Sequence, residues 1–157
     1  MARSKTESSE VILAGDLNGR GYLFGGRLVS LIDKVGAICA AKHVRGVAVT
    51  LSIDNLVFRE PVTNGSILII RASVNRVFKH SMEVGVIAKV LLPGAEDSER
   101  HVCSAYLTFV AVDENGRPRE ISPVIPETAE EKRRYGQATI RREHRLALQA
   151  QLGKRAS

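Results

Sequence analysis

The sequence has no tryptophan and little aromatic content of any kind, since Phe, Tyr and Trp together make up 4% of its 157 residues. A chain of this length can bury one substantial core, and Val, Ile, Leu and Ala are left to build it. There are only two cysteines, Cys39 and Cys103, and they lie in apolar segments without C-x-x-C spacing. This pattern argues against a disulfide framework and indicates two buried thiols in a reducing compartment.

The polar start of the chain contains no apolar signal region, and no apolar run approaches the length needed to span a bilayer. We therefore expect a cytoplasmic protein without a membrane partner. The net charge is +6, of which residues 127–157 contribute +4. This basic excess could attract phosphate groups. However, Arg and Glu are interleaved there, with almost no aromatic residue to stack on bases, so a solvated helix is favoured over a nucleic-acid site.

Apolar periodicity predicts a flexible N-terminus at residues 1–9, one domain at residues 10–126 and a charged helix and tail at residues 127–157. A glycine-rich stretch at residues 15–26 leads into a segment whose apolar residues recur at helical spacing. Nearly all other positions of that segment are apolar or small, which is typical of a largely buried helix. The residues of the stripe are Leu28, Leu31, Ile32, Val35 and Cys39.

The pattern then changes to β-branched alternation and predicts strands at residues 47–58, 67–77, 81–92 and 100–112, after a short strand at residues 10–14. The first of the four is expected to place Val47, Val49, Leu51 and Ile53 on one face and Thr50, Ser52 and Asp54 on the other. Long antiparallel strands packed on one helix define an α+β fold. Open strand edges and a mixed outer face favour an oligomer and a covering role for the tail helix, which begins with a capping box of Thr128 and Glu131.

Asp33 is the unusual residue of the buried helix, because it flanks the apolar stripe instead of lying opposite it. Its neighbours on that face include Gly36, Ala37 and Ala40, which are small enough to leave a groove for a substrate. A half-buried carboxylate is costly unless it is paired or used. The alternative is an ordinary solvated or salt-bridged Asp, with Lys34 or Lys42 as its partner.

The glycine-rich stretch offers two further candidates. Gly25 and Gly26 stand where the helix begins, and the first N–H groups of a helix have no internal partner and favour negative charge. They could form an oxyanion site for a carbonyl, or simply a turn and helix cap. Asn18, in the same stretch, could orient water or a carbonyl, or could form an ordinary Asn18-Gly19 turn.

Taken together, Asn18-x-x-Gly21-x-x-Phe24-Gly25-Gly26 followed by Leu28-x-x-x-x-Asp33 resembles the signature of hotdog-fold acyl-CoA thioesterases. The groups most similar are the bacterial YciA-like enzymes and the brain-type cytosolic acyl-CoA hydrolases. Shorter stretches at 49–65, 81–84, 105–110 and 126–128 also agree, so the resemblance covers residues 10–150. One departure lies at Phe78-Lys79-His80, where many relatives carry Gly, then Arg or Lys, then Thr or Ser.

The resemblance implies a long antiparallel sheet wrapped around a central helix, with two such units forming a dimer and three dimers a hexamer. It implies that Asp33 is a base or nucleophile, that Asn18 positions water or substrate, and that Gly25 and Gly26 polarise the thioester carbonyl. The two polar residues could come from different subunits. Acyl-CoA is the implied substrate, with neither cofactor nor metal. Substrate contacts are expected from Phe24, Thr50, Lys79, His80 and Ser81.

Three other functions compete with thioester hydrolysis. A hotdog-fold hydratase would use a histidine on or near the helix, and His43 is the first histidine of this segment, at its end. A non-catalytic acyl-CoA or nucleotide sensor would leave Asp33 and Asn18 without a chemical role. Nucleic-acid binding would rest on the tail alone. The turn residue Lys79 has two interpretations of equal weight: it binds a nucleotide phosphate, or it is an ordinary solvated side chain.

Overall fold

The computed structural model describes residues 5–92, 94 and 98–153. Five strands, two α-helices and one 3₁₀ turn follow one another along the chain. They are β1 (Thr6–Val11), the 3₁₀ turn (Ala14–Asp16), α1 (Gly25–Val44), β2 (Ala48–Asp54), β3 (Ile67–Val77), β4 (Ser81–Leu91), β5 (Arg100–Ala111) and α2 (Ala129–Gly153). Residues 1–4 and 154–157 of the expected termini, and Pro93 in the expected turn, lie outside the described residues.

The five strands form one antiparallel sheet in the order β1-β3-β4-β5-β2. The sheet therefore ends on β1 at one edge and on β2 at the other. Its inner face packs on α1, so a long antiparallel sheet surrounds a central helix, as the resemblance predicted. No helix in the described ranges is long and apolar enough to cross a bilayer.

Helix α1 supplies the central layer of the core, and the predicted stripe from Leu28 to Cys39 is buried along its whole length. Gly36 lets the helix approach β5 closely, because a Cβ built there would stand 3.4 Å from the side chains of Leu107 and Phe109. Ala40 is also fully buried. The expectation that Gly36 and Ala40 line a substrate groove is therefore wrong, since the sheet occupies that space.

Strand β2 departs from the predicted alternation because it contains a β-bulge. The register with β5 slips by one residue between Thr50 and Ser52, which leaves Leu51 without an opposite residue. Thr50 pairs with Phe109 and points inward, whereas Ser52 pairs with Thr108 and points outward. The single predicted face from Val47 to Ile53 is wrong for the same reason, since an added residue reverses which face later side chains occupy.

Helix α2 crosses the outer face of the sheet and covers part of it, as predicted. Its capping box is formed, with Thr128 Oγ1 accepting the Glu131 N–H at 3.1 Å and Glu131 Oε2 accepting the Thr128 N–H at 3.2 Å. The Glu127 N–H, which donates to the same Glu131 oxygen at 3.0 Å, and then the Thr128 N–H hold the pKa of Glu131 below its ordinary value. The helix begins at Ala129, two residues after the predicted start.

The N-terminal strand begins earlier than predicted. Residues 6–9, expected to be flexible, pair with β3 in register from Thr6 opposite Ala72 to Val11 opposite Ile67. Residues 12–14 of the predicted strand instead form its exit and the start of the 3₁₀ turn. Strands β3, β4 and β5 agree closely, since β3 spans the predicted 67–77 and β4 and β5 each end one residue early, but the strand predicted at 47–58 is too long because β2 covers only residues 48–54. The division of the chain after residue 126 stays a prediction.

Candidate active site

Asp33 lies on α1 beside the edge strand β2, half-buried. The Thr50 hydroxyl donates a 2.8 Å hydrogen bond to Asp33 Oδ1. Thr50 pairs with Phe109 of β5 just before the bulge at Leu51, and this pairing turns its side chain toward α1. Across the described residues this neutral hydroxyl is the one donor to the carboxylate, and Asp33 forms no ion pair with Lys34 or Lys42. Its second oxygen remains available to another group.

Asn18 organises the glycine-rich loop that precedes α1. Its side-chain oxygen accepts the N–H groups of Arg20 at 2.9 Å and Tyr22 at 3.2 Å, and its N–H donates to the Tyr22 carbonyl at 2.7 Å. The expected turn is therefore present, with Gly21 at its positive φ of 80°. Because the oxygen holds the loop, the amide nitrogen of Asn18 is the group left to bind something else.

The same loop is fixed to α1 by an ion pair. Arg27 Nε donates to Asp16 Oδ1 at 2.9 Å, while the Leu13 N–H donates to Asp16 Oδ2 at 3.0 Å. The Leu13 N–H, and then the Arg27 guanidinium, hold the pKa of Asp16 below its usual range. A charged Asp16 therefore orients the chain as it enters the helix, a role that the spacing of the sequence did not indicate.

The start of α1 leaves backbone donors without partners. Phe24 is the N-cap and supplies no side-chain hydrogen bond. Within the described chain, the N–H groups of Gly25 and Gly26 have no backbone acceptor, as is usual for the first residues of a helix. A Cβ at Gly25 would lie 3.5 Å from the Phe58 ring. The positive end of the helix therefore opens beside an aromatic side chain.

A cavity of about 400 Å³ lies at this helix start and contains Asn18 and Gly25 in its wall. Its other lining residues are mostly apolar and include Leu23, Leu28, Phe58, Val62 and Val102. Asp33 does not line it, because Asp33 follows Gly25 by eight residues, about 12 Å along the helix axis. A larger cavity of about 590 Å³ lies on the outer face of the sheet and contains no predicted site residue.

The turn between β3 and β4 contains the other predicted substrate contacts. Lys79 is exposed and its Nζ is 3.8 Å from Glu120 Oε1, and the His80 carbonyl accepts the Ala111 N–H at 3.1 Å. Ser81 pairs with Val110, next to the Phe109 that pairs with Thr50. These residues therefore lie at the Asp33 end of the sheet, and Asn18 and Gly25 lie at the opposite end.

The two cysteines, Cys39 and Cys103, are buried within the fold. Burial raises the pKa of the Cys39 thiol to about 12 and that of the Cys103 thiol to about 11, so both remain protonated and unreactive near neutral pH. No group of three His, Cys, Asp or Glu side chains suitable for a metal ion occurs among residues 5–92, 94 and 98–153.

Two clusters thus emerge from the predicted residues within one chain. Asp33 and Thr50 form one, and Asn18, Phe24, Gly25 and Gly26 form the other. The pocket residues Phe58 and Val102 were not predicted to line a cavity, because they are distant in sequence from the loop that they face. The strand predicted at 47–58 ends at Asp54, so Phe58 belongs to the loop that follows β2.

Comparison with known proteins identifies the family to which this chain is similar. The family model described as the thioesterase superfamily matches residues 20–90. Acyl-coenzyme A thioesterase 11 of Mus musculus is 35% identical over 144 residues, which cover 92% of this chain but only 24% of that protein's length.

Two solved structures match over nearly their whole length. An apo-hexameric acyl-CoA thioesterase has a TM-score of 0.90 and 37% identity, with 95% of each chain covered. The acyl-CoA hydrolase of Staphylococcus aureus, in complex with butyryl coenzyme A, coenzyme A and coenzyme A disulfide, has a TM-score of 0.88 and 34% identity. That match covers 98% of this chain and 91% of the other.

Three more structures of the Staphylococcus aureus enzyme each carry one alanine substitution, at an aspartate, an asparagine or a threonine. In that enzyme the asparagine precedes the aspartate by 15 residues and the threonine follows it by 17. Asn18, Asp33 and Thr50 are separated by the same two intervals. The chain therefore belongs to the thioesterase superfamily, among the hotdog-fold acyl-CoA thioesterases.

Proposed function

We propose that this protein hydrolyses acyl-CoA thioesters to a free acid and coenzyme A, with Asp33 as the catalytic residue. The observation that carries the proposal is the half-buried Asp33 carboxylate, whose one donor among the described residues is the neutral Thr50 hydroxyl. The intervals shared with the substituted residues of the Staphylococcus aureus enzyme support the same assignment. Its complexes with butyryl coenzyme A and coenzyme A support the substrate class.

One carboxylate is sufficient for this reaction because a thioester is an activated carbonyl with a good leaving group. As a general base, Asp33 removes a proton from water as the water oxygen attacks the carbonyl carbon. The tetrahedral intermediate then expels the coenzyme A thiolate, which takes up that proton. As a nucleophile, Asp33 would instead expel the thiolate to form a mixed anhydride, which water then cleaves. Both routes remain open.

The start of α1 supplies the electrostatic part of this mechanism. The N–H groups of Gly25 and Gly26 can donate to the carbonyl oxygen as it gains negative charge, with the helix dipole adding to the effect. Asn18 lies in the wall of the same cavity, and its amide nitrogen can position the water or the carbonyl. The apolar residues around Phe58, with Phe24 at the helix cap, offer a surface for the acyl chain.

A complete site requires two subunits, because Asp33 and the Gly25 cavity lie at opposite ends of the β2 edge. A twofold axis through an antiparallel β2–β2 pair exchanges these ends, which places Asp33 of one subunit near Asn18 of the other. Exposed Leu51 and Ile53 (67% and 37%) support such a pair, since exposed apolar side chains on an open edge favour association. We expect dimers that assemble further into a trimer of dimers.

The β3–β4 turn is expected to bind the nucleotide part of the substrate. Lys79 is largely exposed and its ion pair with Glu120, at 3.8 Å, joins two side chains that are each more than 70% exposed. Such a pair contributes little, so Lys79 can exchange Glu120 for a phosphate. His80 and Ser81 lie beside it, toward the Asp33 end of the sheet.

The decisive experiment is release of free thiol from acyl-CoAs of increasing chain length by the wild type and Asp33→Ala. We expect turnover of at least one substrate by the wild type and a loss of about 10²–10⁴-fold in the variant, the range of general acid–base catalysis. Circular dichroism controls for folding. A folded wild type that binds coenzyme A but releases no thiol would instead be the non-catalytic acyl-CoA-binding protein considered above.

A second experiment tests whether the site is shared. Asp33→Ala and Asn18→Ala subunits are each expected to be nearly inactive, but mixed dimers contain one site with both native residues. Unfolding the two variants together and refolding them should therefore restore up to about half of the wild-type activity per mixed dimer. If the mixture stays as inactive as its components although the subunits exchange, Asp33 and Asn18 do not act across an interface.

Thioester hydrolysis by Asp33 requires no metal ion or organic cofactor, because the carboxylate itself activates the attacking group. We expect dialysis against a chelator to leave the rate of thiol release unchanged. Loss of activity that returns with an added divalent cation would contradict this assignment. The two buried, protonated thiols suit a reducing compartment, which supports the cytoplasmic location that we propose.

A further inference from the structure

Helix α2 crosses the strands of the sheet one after another on the outer face. Tyr135 packs on Arg76 of β3, with the guanidinium carbon 4.1 Å from the ring centre. Arg141 donates to Glu83 of β4 at 2.6 Å, and Arg145 pairs with Asp54 of the edge strand β2. These contacts follow the order of the strands in the sheet, in which β5 lies between β4 and β2.

The direction of this crossing can be calculated from standard geometry. The ten residues from Tyr135 to Arg145 rise about 15 Å. The step from β3 to β2 is three strand spacings, or about 14 Å. The two lengths agree, so α2 runs nearly perpendicular to the strands, and each further turn of helix advances it by about one strand.

The helix continues after it has reached the last strand. All residues from Leu146 to Gly153 are exposed, and Arg145 already pairs with the edge strand. The side of α2 that faces the sheet carries Arg141 and Arg145, and the same 3,4 spacing continues with Leu148 and Leu152, each 55% exposed. Leu152 lies about 10 Å beyond Arg145, or two strand spacings past the edge.

The outer face of β2 presents a matching apolar surface. Val49 pairs with Val110, which points outward with Thr108 and Tyr106, so Val49 is on the outer face. It is 46% exposed, and Val47, two residues earlier, is 60% exposed. In the described part of its own chain, α2 crosses β2 at Asp54 and leaves this first half of the strand uncovered.

Symmetry brings these two apolar surfaces together. In an antiparallel pair of β2 strands, the residues opposite Asp54 of one copy belong to the first half of β2 in the other. The helix end that leaves one sheet at Asp54 therefore lies over Val49 of the second copy. The reverse contact forms at the same time, as an isologous interface requires.

We propose that the last two turns of α2 reach across the subunit boundary and pack Leu148 and Leu152 on the outer face of β2 in a second copy of the chain. This inference rests on the β2 pairing of the proposed function, but it adds an interface on the other face of the sheet from Asp33. Each subunit would thus be held by its partner twice, through the strand edge and through the helix end.

A cross-link tests the contact directly. The variant Leu148→Cys/Val49→Cys is treated with a short bismaleimide, and the products are separated on a denaturing gel and mapped by mass spectrometry. We expect a dimer band that joins position 148 to position 49. Cys39 and Cys103 give little background because they are buried. The matched control Ala147→Cys/Val49→Cys places the thiol on the other side of the helix and should give at least fivefold less dimer band.

A second measurement does not depend on cysteine chemistry. Leu148→Gln/Leu152→Gln should raise the dimer dissociation constant at least tenfold in sedimentation equilibrium. Ala147→Gln/Ala150→Gln, on the exposed side of the same turns, should leave it unchanged. A wild-type dimer that forms no 148–49 link and is not weakened by the glutamines would overturn this inference alone. A monomeric wild type would overturn both this interface and the shared active site, and thiol release would report separately on the hydrolase activity.

Discussion

Asp33 and Glu83 lie on opposite faces of the same sheet, and their hydrogen-bond partners differ in number and in charge. Asp33 accepts one bond, from the neutral Thr50 hydroxyl. Glu83 is 3% exposed and accepts three, from the Asn75 amide at 2.9 Å and from Arg141 at 2.6 and 3.0 Å. Arg141 in turn stacks on the Tyr106 ring, 3.6 Å from its centre.

The difference separates a carboxylate that can react from one that holds the fold. A buried charge is tolerated when it is paired and hydrogen-bonded, and both oxygens of Glu83 already accept bonds from the fold. Asp33 keeps a free oxygen at a half-exposed position. Burial and charge alone would rank Glu83 as the more unusual group, so the count of donors is the better guide to which carboxylate is catalytic.

Asp33→Asn tests the reactive half of this comparison and should produce the largest effect. We expect the turnover number for acyl-CoA to fall about 10²–10⁴-fold, since an amide is neither a base nor a nucleophile. The free energy of unfolding in urea should change little, because only the Thr50 bond is affected. A variant that loses stability in proportion to its activity would instead make Asp33 a structural residue.

Glu83→Gln tests the structural half. Removing one partner of a buried ion pair should lower the free energy of unfolding by about 2–4 kcal/mol, read from the urea midpoint, while turnover per folded molecule stays near that of the wild type. Combining it with Arg141→Met removes the unpaired cation and should recover part of the loss. If the double variant is as unstable as the two single losses added together, the pair is not the source of the stability.

Thr50→Val examines the hydrogen bond that Thr50 donates to Asp33. A hydrogen bond to a charged group contributes about 1.5–3 kcal/mol, so we expect the turnover number to fall about tenfold or somewhat more. Thr50→Ser keeps the hydroxyl and should retain most of the activity. Equal losses in both variants, or a change in KM alone, would show that the methyl group and not the hydroxyl is what Thr50 contributes.

Glu99 is a carboxylate at the surface whose two oxygens both accept hydrogen bonds. Its substitution should have the smallest effect of the four. Hydrogen bonds from Arg71, and then from Lys89, lower its pKa to about 2 from an ordinary 4.5. A lowered pKa stabilises the folded state above pH 4.5, and that contribution is lost as the pH falls toward 2.

The corresponding measurement is the melting temperature from pH 6 to pH 2 for the wild type and Glu99→Gln. The variant should show a shallower decline in the acid range and a difference at neutral pH smaller than that of Glu83→Gln, because exposed pairs are screened by solvent. Parallel curves for the two proteins would show that the Arg71–Glu99 pair is not formed in solution.

Much of the fold could be predicted from the sequence wherever side chains of one kind recur at a regular spacing. The stripe of α1 and the limits of β3 follow from side-chain periodicity, and the cap of α2 follows from Thr128 and Glu131. The first four residues of β1, at positions 6–9, were missed because they are polar and join the sheet through their backbone. The bulge at Leu51 was missed because a slip in register changes the pairing without changing the local composition.

The candidate site was only partly readable for a related reason. Asp33 was identified because it is a charged residue within an otherwise apolar helix. Asn18 and Gly25 were identified because they lie before and at the start of that helix. No spacing rule connects Asp33 with Thr50, whose contact depends on how β2 meets α1 in space. The separation of Asp33 from the Gly25 cavity also depends on the distance along α1. Its consequence, a site shared between two subunits, follows only from the position of the β2 edge.

The path of α2 across the strands also affects the order in which the molecule can fold. This helix follows every strand in the chain, yet it carries the only cation that reaches Glu83 among the described residues. During synthesis Glu83 therefore has no Arg141 to pair with until the last element emerges. A nascent chain that stops before Ala129 would contain all five strands and still be unable to close its outer face.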